Sequence, residues 1–277
     1  VDGMNHTAII LGAVVVGGTG LFIAILLGIA SEKFKVPVNE KEVAVRAELP
    51  GNNCGGCGYA GCDGLAAAIA AGDAPVNACP VGGAPVADKI SAIMGVEAGE
   101  FVKMTAFVKC AGTCEKAGDK FKYSGIESCV DAANVPGGGP KGCEYGCIGY
   151  GSCANVCPED AISIINGVAY VDQESCVACG KCADICPKGL IELVPYDKKC
   201  RVQCSSKDFG KAVMSVCSAG CIGCRACEKA CKLGAITVEN NIAHIDYDKC
   251  VGCGLCAAKC PKGIITGKRE QPKKKEA

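Results

Sequence analysis

The residues of this chain best suited to chemistry are cysteines, and their spacing is that of iron–sulfur ligands. One run consists of four cysteines and a following proline: Cys176, Cys179, Cys182, Cys186 and Pro187. Gaps of two, two and three residues before a proline are typical of bacterial ferredoxins with two clusters. In these proteins the first three thiolates bind one [4Fe–4S] cluster and the fourth binds the other. The run returns at Cys250, Cys253, Cys256 and Cys260. The pattern therefore predicts sites that transfer single electrons.

The composition favours metal ligation over disulfide bonding. The chain has 277 residues, of which 26 are cysteine, and repeated Cys-x-x-Cys spacing indicates metal sites. Thiolates and clusters persist in a reducing compartment. Glycine is abundant, with 38 residues, and tryptophan is absent, which suits small folds in which clusters replace much of the apolar core. The formal net charge is zero, so nothing in the charge balance indicates nucleic-acid binding.

The C-terminal half contains an internal repeat. The segment 143–190 aligns with 217–264 without a gap, and all eight cysteines of the first segment fall on cysteines of the second. Both segments carry alternating β-branched residues around a turn, at Asn166-Gly167 and at Asn240-Asn241, which predicts a β-hairpin in each. We therefore expect two ferredoxin modules with two clusters each.

The crossed ligand rule assigns four sites to these modules. In the first module the expected sets are Cys143, Cys147, Cys153 and Cys186, and Cys157, Cys176, Cys179 and Cys182. In the second they are Cys221, Cys224, Cys227 and Cys260, and Cys231, Cys250, Cys253 and Cys256. The first of these sets departs from the usual spacing, because Tyr150 stands where the second repeat has Cys224. Cys143 is expected to substitute as the missing ligand.

A fifth site is predicted upstream of the repeats, at Cys54, Cys57, Cys62 and Cys79. Its first three cysteines share a glycine-rich loop, which lets the chain pass close to a cluster. Helices are expected at 63–71 and 86–94, and the stretch 40–49 is expected to be either a short polar helix or a linker. Four thiolates also suit zinc, and that alternative stays open beside a fifth [4Fe–4S] cluster.

The N-terminal segment predicts a membrane anchor. The stretch from Thr7 to Ala30 contains no charged residue and is long enough to cross a bilayer as a helix. Lys33 and Lys35 follow, so the positive-inside rule places the C-terminal side in the cytoplasm. A row of small residues, Gly20, Ala24 and Gly28, favours packing against another membrane helix; a plain lipid-facing anchor is the alternative.

These elements define the expected architecture. The fold class is α+β, with a single transmembrane helix, a small [4Fe–4S] domain and two tandem two-cluster ferredoxin modules. The predicted boundaries are 1–36 for the anchor, 37–100 for the four-cysteine domain, 101–198 for the first module with its preceding segment, 199–267 for the second module and 268–277 for a basic tail.

The order of these parts carries a family resemblance. A single N-terminal span followed by Leu49-Pro-Gly-Asn-Asn-Cys54-Gly-Gly-Cys57 and two ferredoxin modules resembles the B subunit of the Rnf electron-transport complex. The resemblance implies a cell-membrane subunit that takes electrons from reduced ferredoxin and passes them to the other membrane subunits. The complex as a whole reduces NAD and transports Na⁺ or H⁺. The chain shows no flavin or nicotinamide motif, so no catalytic residue is expected on it.

Other interpretations remain open at this point. Six cysteines have no assigned role and serve either as structural thiols or as ligands of a sixth cluster: Cys110, Cys114, Cys129, Cys200, Cys204 and Cys217. The chain could instead serve another membrane oxidoreductase, or be a scaffold stabilised by zinc. Basic residues near the ferredoxin runs form either a solvated surface or a landing patch for an acidic electron carrier: Lys181, Lys188, Arg225, Lys229, Lys232, Lys249, Lys259 and Lys262.

Overall fold

The computed structural model of the protein describes residues 6–33 and 39–267. Lys35 and the predicted basic tail at 268–277 lie outside the described residues. The described chain mixes helices with short antiparallel strands, which confirms the α+β class at this level.

The first element, α1 (His6–Lys33), is one continuous helix. An α-helix satisfies its own backbone hydrogen bonds, as a bilayer requires. Within the part of the chain that the structure describes, the segment Ile10–Lys33 is the one helix long and apolar enough to cross a membrane. Its large apolar side chains, from Ile10 to Ile29, are exposed. The helix therefore fits the predicted anchor.

The four-cysteine domain contains three helices, α2 (Glu40–Glu48), α3 (Gly61–Ala71) and α4 (Gly83–Met94). They pack around buried Val45, Leu65 and Ile90. The two predicted helices are confirmed, although α3 and α4 begin earlier than expected, and the stretch 40–49 is a helix rather than a linker. The early start of α4 places Pro85 in its first turn, where a proline is tolerated because the missing N–H has no partner in the helix.

The two repeats have the same order of elements. The first contains α6 (Ser152–Asn155), β2 (Ile162–Ile165), β3 (Val168–Val171) and α7 (Lys181–Ile185). The second contains α9 (Ala226–Ala230), β5 (Ile236–Glu239), β6 (Ile242–Ile245) and α10 (Leu255–Lys259). Each of these elements begins at the position equivalent to the start of its counterpart. Both predicted hairpins are confirmed, with Ile162 opposite Val171 and Ile236 opposite Ile245.

Further elements flank the repeats. Strand β1 (Met104–Val108) precedes the first repeat and pairs antiparallel with β4 (Ile191–Pro195), which follows it. The second repeat is closed in the same way by a single bridge between Val202 and Ile265. Two more short helices, α5 (Cys129–Ala132) and α8 (Gly210–Val216), lie in the segments that lead into the repeats. In each repeat, a segment before the repeat thus pairs with the segment that ends it.

Gly167 offers a test of the first hairpin. It lies at φ 73°, and a Cβ placed there would clash with the Cys114 sulfur. We expect Gly167→Ala to lower the thermal stability of the anaerobically purified protein, because it adds this clash to a left-handed backbone cost of about 1–2 kcal/mol. Adding Cys114→Ala should restore part of the loss. A Gly167→Ala protein that unfolds at the parent temperature would contradict this packing.

Candidate iron–sulfur sites

The Cys54 site consists of Cys54, Cys57, Cys62 and Cys79. Its loop is tied to the start of α3, because Asn53 Oδ1 accepts a hydrogen bond from the Cys62 N–H at 2.8 Å. The Gly82 N–H donates to the Cys79 sulfur at 3.3 Å. Burial raises the pKa of Cys79, and the charges of Cys57 and Cys62 add to that rise. The four predicted ligands therefore include three thiols that lie close enough to interact.

The Cys176 site consists of Cys157, Cys176, Cys179 and Cys182. The pKa of Cys182 is raised to about 12, first by burial and then by the neighbouring thiols of this site. Strand β1 also contributes, since the Ala106 N–H donates to the Cys176 sulfur at 3.3 Å. A second N–H, from Ala178, reaches the same sulfur at 3.4 Å. The structure thus brings the predicted set together beside the β1–β4 pair.

The Cys147 site differs from the predicted set. One cavity is lined by four thiols, those of Cys129, Cys147, Cys153 and Cys186. The pKa of Cys153 is raised to about 11 by burial, followed by the charges of the three other thiols. Cys143 does not line this cavity. The expectation that Cys143 substitutes for the missing ligand therefore disagrees with the structure, which places Cys129 there.

A long segment ahead of the first repeat explains this difference. The chain between Cys110 and Cys143 is much longer than the chain between the matching Cys204 and Cys217. The extra chain forms α5, and the Cys129 N–H at its start donates to Ser152 Oγ at 2.9 Å. Ser152 begins α6, the helix that carries Cys153. This bond holds Cys129 beside Cys153, so a thiol from a distant segment lines the cavity where the loop has no third cysteine. In the sequence, the extra length between Cys110 and Cys143 was the feature that could have pointed to a cysteine from outside the loop.

Cys143 lies in a different group, at the boundary between the two repeats. Its pKa is raised to about 11, first by burial and then by the nearby thiols of Cys110, Cys204 and Cys217. Those three cysteines and Cys143 line one cavity. For Cys110, Cys204 and Cys217 the sequence leaves two alternatives open, structural thiols and ligands of a further cluster.

The second repeat carries two groups. The Cys221 site, formed by Cys221, Cys224, Cys227 and Cys260, lines one cavity. The Cys250 site contains the four predicted thiols, Cys231, Cys250, Cys253 and Cys256, together with buried Cys200. Burial, and after it the thiol of Cys200, raises the pKa of Cys256 to about 12. Cys224 and Cys253 are exposed, whereas the predicted ligands of the first repeat are buried or half-buried.

The geometry of the thiols fits clusters. Among the described residues, no three His, Cys, Asp or Glu side chains converge closely enough to hold one metal ion. In both repeats, thiols line shared cavities instead, and four thiolates are the donor set of a [4Fe–4S] cluster. Metal ligation requires thiolates, so cluster assembly displaces the protons that burial favours on these cysteines.

The four-cysteine domain packs closely against the first repeat at Gly56. A Cβ placed on Gly56 would stand 2.7 Å from the Cys179 carbonyl oxygen, and the charge of Cys54 contributes to the raised pKa of Cys179, after burial. The Cys54 and Cys176 sites are therefore neighbours across this contact.

The four-cysteine domain and the two repeats match two different protein families. Residues 49–81 match a family described as a putative Fe–S cluster family. Residues 143–190 and 220–264 each match the 4Fe–4S dicluster domain. These matches cover the Cys54 site and both repeats.

Similar proteins extend the match over most of the chain. The B subunit of the Na⁺-translocating ferredoxin:NAD⁺ oxidoreductase complex of Acetobacterium woodii is 49% identical over 87% of this chain and 73% of that protein. The B subunit of the ion-translocating oxidoreductase complex of Methanosarcina acetivorans is 44% identical over 85% and 89%. The B subunit of the proton-translocating ferredoxin:NAD⁺ oxidoreductase complex of Clostridium ljungdahlii is 41% identical over 88% and 85%.

The Gly56 contact can be tested by substitution. Gly56→Ala places a methyl group against backbone, and we expect it to push the four-cysteine domain away from the first repeat. The magnetic interaction between the reduced clusters of the two sites should then weaken in EPR spectra. Gly64→Ala is the matched control, since its added Cβ meets only side-chain carbons at 3.8 Å. Equal spectra for the two variants would contradict the contact.

Proposed function

The chain belongs to the family of B subunits of Rnf-type ion-translocating oxidoreductase complexes, and from this membership we propose how its cysteine sites carry electrons. It is an iron–sulfur electron-transfer subunit of a complex that couples ferredoxin:NAD oxidoreduction to ion transport. The observation that carries the proposal is the succession of four-thiol sites from the second repeat to the four-cysteine domain.

Five sites hold [4Fe–4S] clusters in this proposal, arranged as a four-cysteine domain followed by two tandem two-cluster modules. The ligand sets are those predicted for the Cys54, Cys176, Cys221 and Cys250 sites. The Cys147 site uses Cys129 in place of Cys143. A bound cluster supplies one-electron chemistry. The protein provides thiolates, burial and N–H donors to sulfur, such as Ala106 to Cys176 at 3.3 Å and Leu190 to Cys186 at 3.4 Å.

Electrons enter at the second repeat. Its ligands Cys224 and Cys253 are exposed, so an external donor can approach these clusters closely. Exposed Lys229 and Lys232 lie near Cys224 in the sequence. Val251 and Leu233 are 70% and 53% exposed and add apolar contact area. This combination suits reduced ferredoxin as an acidic donor, because complementary charge speeds the encounter of two proteins.

Electrons leave through the Cys54 site, which of the five sites follows α1 most closely along the chain. In the proposed topology α1 crosses the cell membrane once and keeps the cysteine sites on the cytoplasmic side. The small residues Gly20, Ala24 and Gly28 then face another membrane subunit. Small residues in such a row let the backbones of two membrane helices approach closely.

Charge reversal tests the site at which electrons enter. The double variant Lys229→Glu and Lys232→Glu should lower the rate of reduction by ferredoxin about tenfold at low salt, because steering by charge is lost. The effect should shrink as salt is raised. The control is Lys41→Glu with Lys122→Glu, which changes the charge equally at exposed positions outside the second repeat. Stopped-flow measurements give the rate at which ferredoxin reduces each double variant. An equal slowing of the two variants would contradict docking at the second repeat.

Loss of the Cys54 site tests where electrons leave. In the whole complex, Cys57→Ala should abolish NAD reduction by reduced ferredoxin, while the clusters of both repeats stay reducible in EPR spectra. Cys114→Ala is the control, since that thiol is exposed and belongs to none of the proposed sites. Survival of NAD reduction in the Cys57→Ala complex would show that the proposed order is wrong.

A further inference from the structure

Lys141 is a charged side chain in the interior of the protein, directly ahead of the first repeat. It is 4% exposed, and lysine is almost never fully buried unless it is paired. Among residues 6–33 and 39–267, no carboxylate forms a salt bridge with it. Another partner must therefore offset the cost of burying the ammonium group. We propose that this partner is the anionic cluster of the Cys147 site, and that Lys141 raises the reduction potential of that cluster.

Two carbonyl oxygens fix the position of the ammonium group. It donates to the Gly112 oxygen at 2.9 Å and to the Gly167 oxygen at 2.7 Å. Gly112 lies between β1 and the first repeat, and Gly167 lies in the turn of the first hairpin. These bonds use two of the three N–H donors of the group, but neutral carbonyls do not cancel its charge. A net positive charge therefore remains in the interior.

The ligand loop of the Cys147 site passes next to this charge. The Cδ atom of Lys141 lies 3.4 Å from the position of a Cβ added to Gly146, one residue before Cys147. The Gly167 oxygen that accepts from Lys141 lies 2.5 Å from the position of a Cβ added to Gly149. Burial raises the pKa of Cys147, and the charge of Lys141 opposes that rise. Lys141 thus favours the thiolate form that cluster ligation requires.

The same charge acts on the redox equilibrium of the cluster. Reduction adds one electron to a cluster that four thiolates already make anionic. Burial disfavours the added charge, and Cys147 and Cys153 are both buried. A fixed positive charge in the interior favours it, and charge is among the features that set cluster potentials. Lys141 therefore offsets the cost of reducing a buried cluster, and it keeps its own proton throughout.

The second repeat has a different residue at the matching position. Lys141 stands two residues before Cys143, and Ser215 stands two residues before the equivalent Cys217. Ser215 is exposed and uncharged. The chain thus places a buried charge at this position in the first repeat and a neutral, solvated side chain in the second.

Other cations near the two cavities do not provide the same difference. Lys188 and Lys262 occupy equivalent positions and line the Cys147 and Cys221 cavities, respectively. Arg225 also lines the Cys221 cavity, but its side chain is 62% exposed and forms a salt bridge with Glu228 at 3.7 Å. Solvent and the carboxylate weaken the field of Arg225. Because Lys141 is buried, solvent screens its charge much less.

This role rests on the proposed function, because it requires a cluster in the Cys147 site. In the proposed path that site receives electrons from the second repeat, whose ligands Cys224 and Cys253 are exposed. Each step moves one electron, which the Cys147 cluster gains from the second repeat and passes on toward the Cys54 site. The higher potential that Lys141 supplies favours the first of these steps.

Removal of the charge without loss of the hydrogen-bond donor tests the inference. Lys141→Gln keeps a side-chain NH₂ donor for the carbonyls but carries no charge. In EPR-monitored redox titrations of the anaerobically purified whole chain, one cluster should become about tenfold harder to reduce, which is a fall in midpoint potential of about 59 mV for a one-electron couple. The shifted signal should be the one that Cys129→Ala abolishes. Lys141→Arg should keep the parent potential, because it keeps the charge.

Lys120→Gln is the matched control. Lys120 also precedes the first repeat, but its side chain is 30% exposed and forms a salt bridge with Glu144 at 3.2 Å. Its removal changes the net charge equally and should leave every cluster potential unchanged. An unchanged titration of Lys141→Gln, or a shift equal to that of Lys120→Gln, would overturn the inference and leave the five-cluster function intact.

The variants remain informative if a cluster is lost. Loss of the Cys147 cluster from Lys141→Gln, with its retention in Lys141→Arg, would support the need for a counter-charge. Loss from both variants would show that Lys141 serves only the fold and would overturn the inference. Absence of clusters from the parent chain as well would overturn the proposed function itself.

Discussion

The convergence of cysteine thiols within each repeat is the constraint on which the structure depends. The elements that carry these thiols are short: α6 has four residues, α7 has five, and each strand of the first hairpin has four. Isolated helices of this length and two-stranded sheets are marginal in water. Ligation therefore contributes to folding, because metal bound only by the folded chain stabilises it. Cysteines occupy a large share of the buried core in both repeats.

The environment of the cysteine sites is set by backbone hydrogen bonds, solvent exposure and nearby charge. Backbone N–H groups donate to cysteine sulfurs at Cys79, Cys110, Cys176 and Cys204. Exposure differs, with Cys224 and Cys253 open to solvent and Cys182 buried. Lys141 places a buried positive charge beside the middle of the path. Charge, hydrogen bonding and exposure are the features that set cluster potentials, so the sites are chemically distinct although their ligands are alike.

The sequence predicted those features that depend on neighbouring residues. The hairpins followed from local turns, since Asn166 and Gly167, and likewise Asn240 and Asn241, adopt the positive φ angles that such turns need. The grouping of Cys221, Cys224, Cys227 and Cys260 around one cavity followed from regular spacing. The role of Cys129 did not, because its place beside Cys153 depends on a contact with Ser152, far along the chain. The grouping of Cys110 and Cys143 with Cys204 and Cys217 depends on how the two repeats meet, which no local pattern encodes.

Metal and sulfide analysis of anaerobically purified protein, with EPR after dithionite reduction, tests the central claim that these thiols hold an electron path. The account predicts iron and acid-labile sulfide in equal amounts, at least about 20 of each per chain, and interacting low-potential [4Fe–4S] signals. Stoichiometric zinc with almost no iron, in protein never exposed to air, would contradict it and make the chain a zinc-stabilised scaffold.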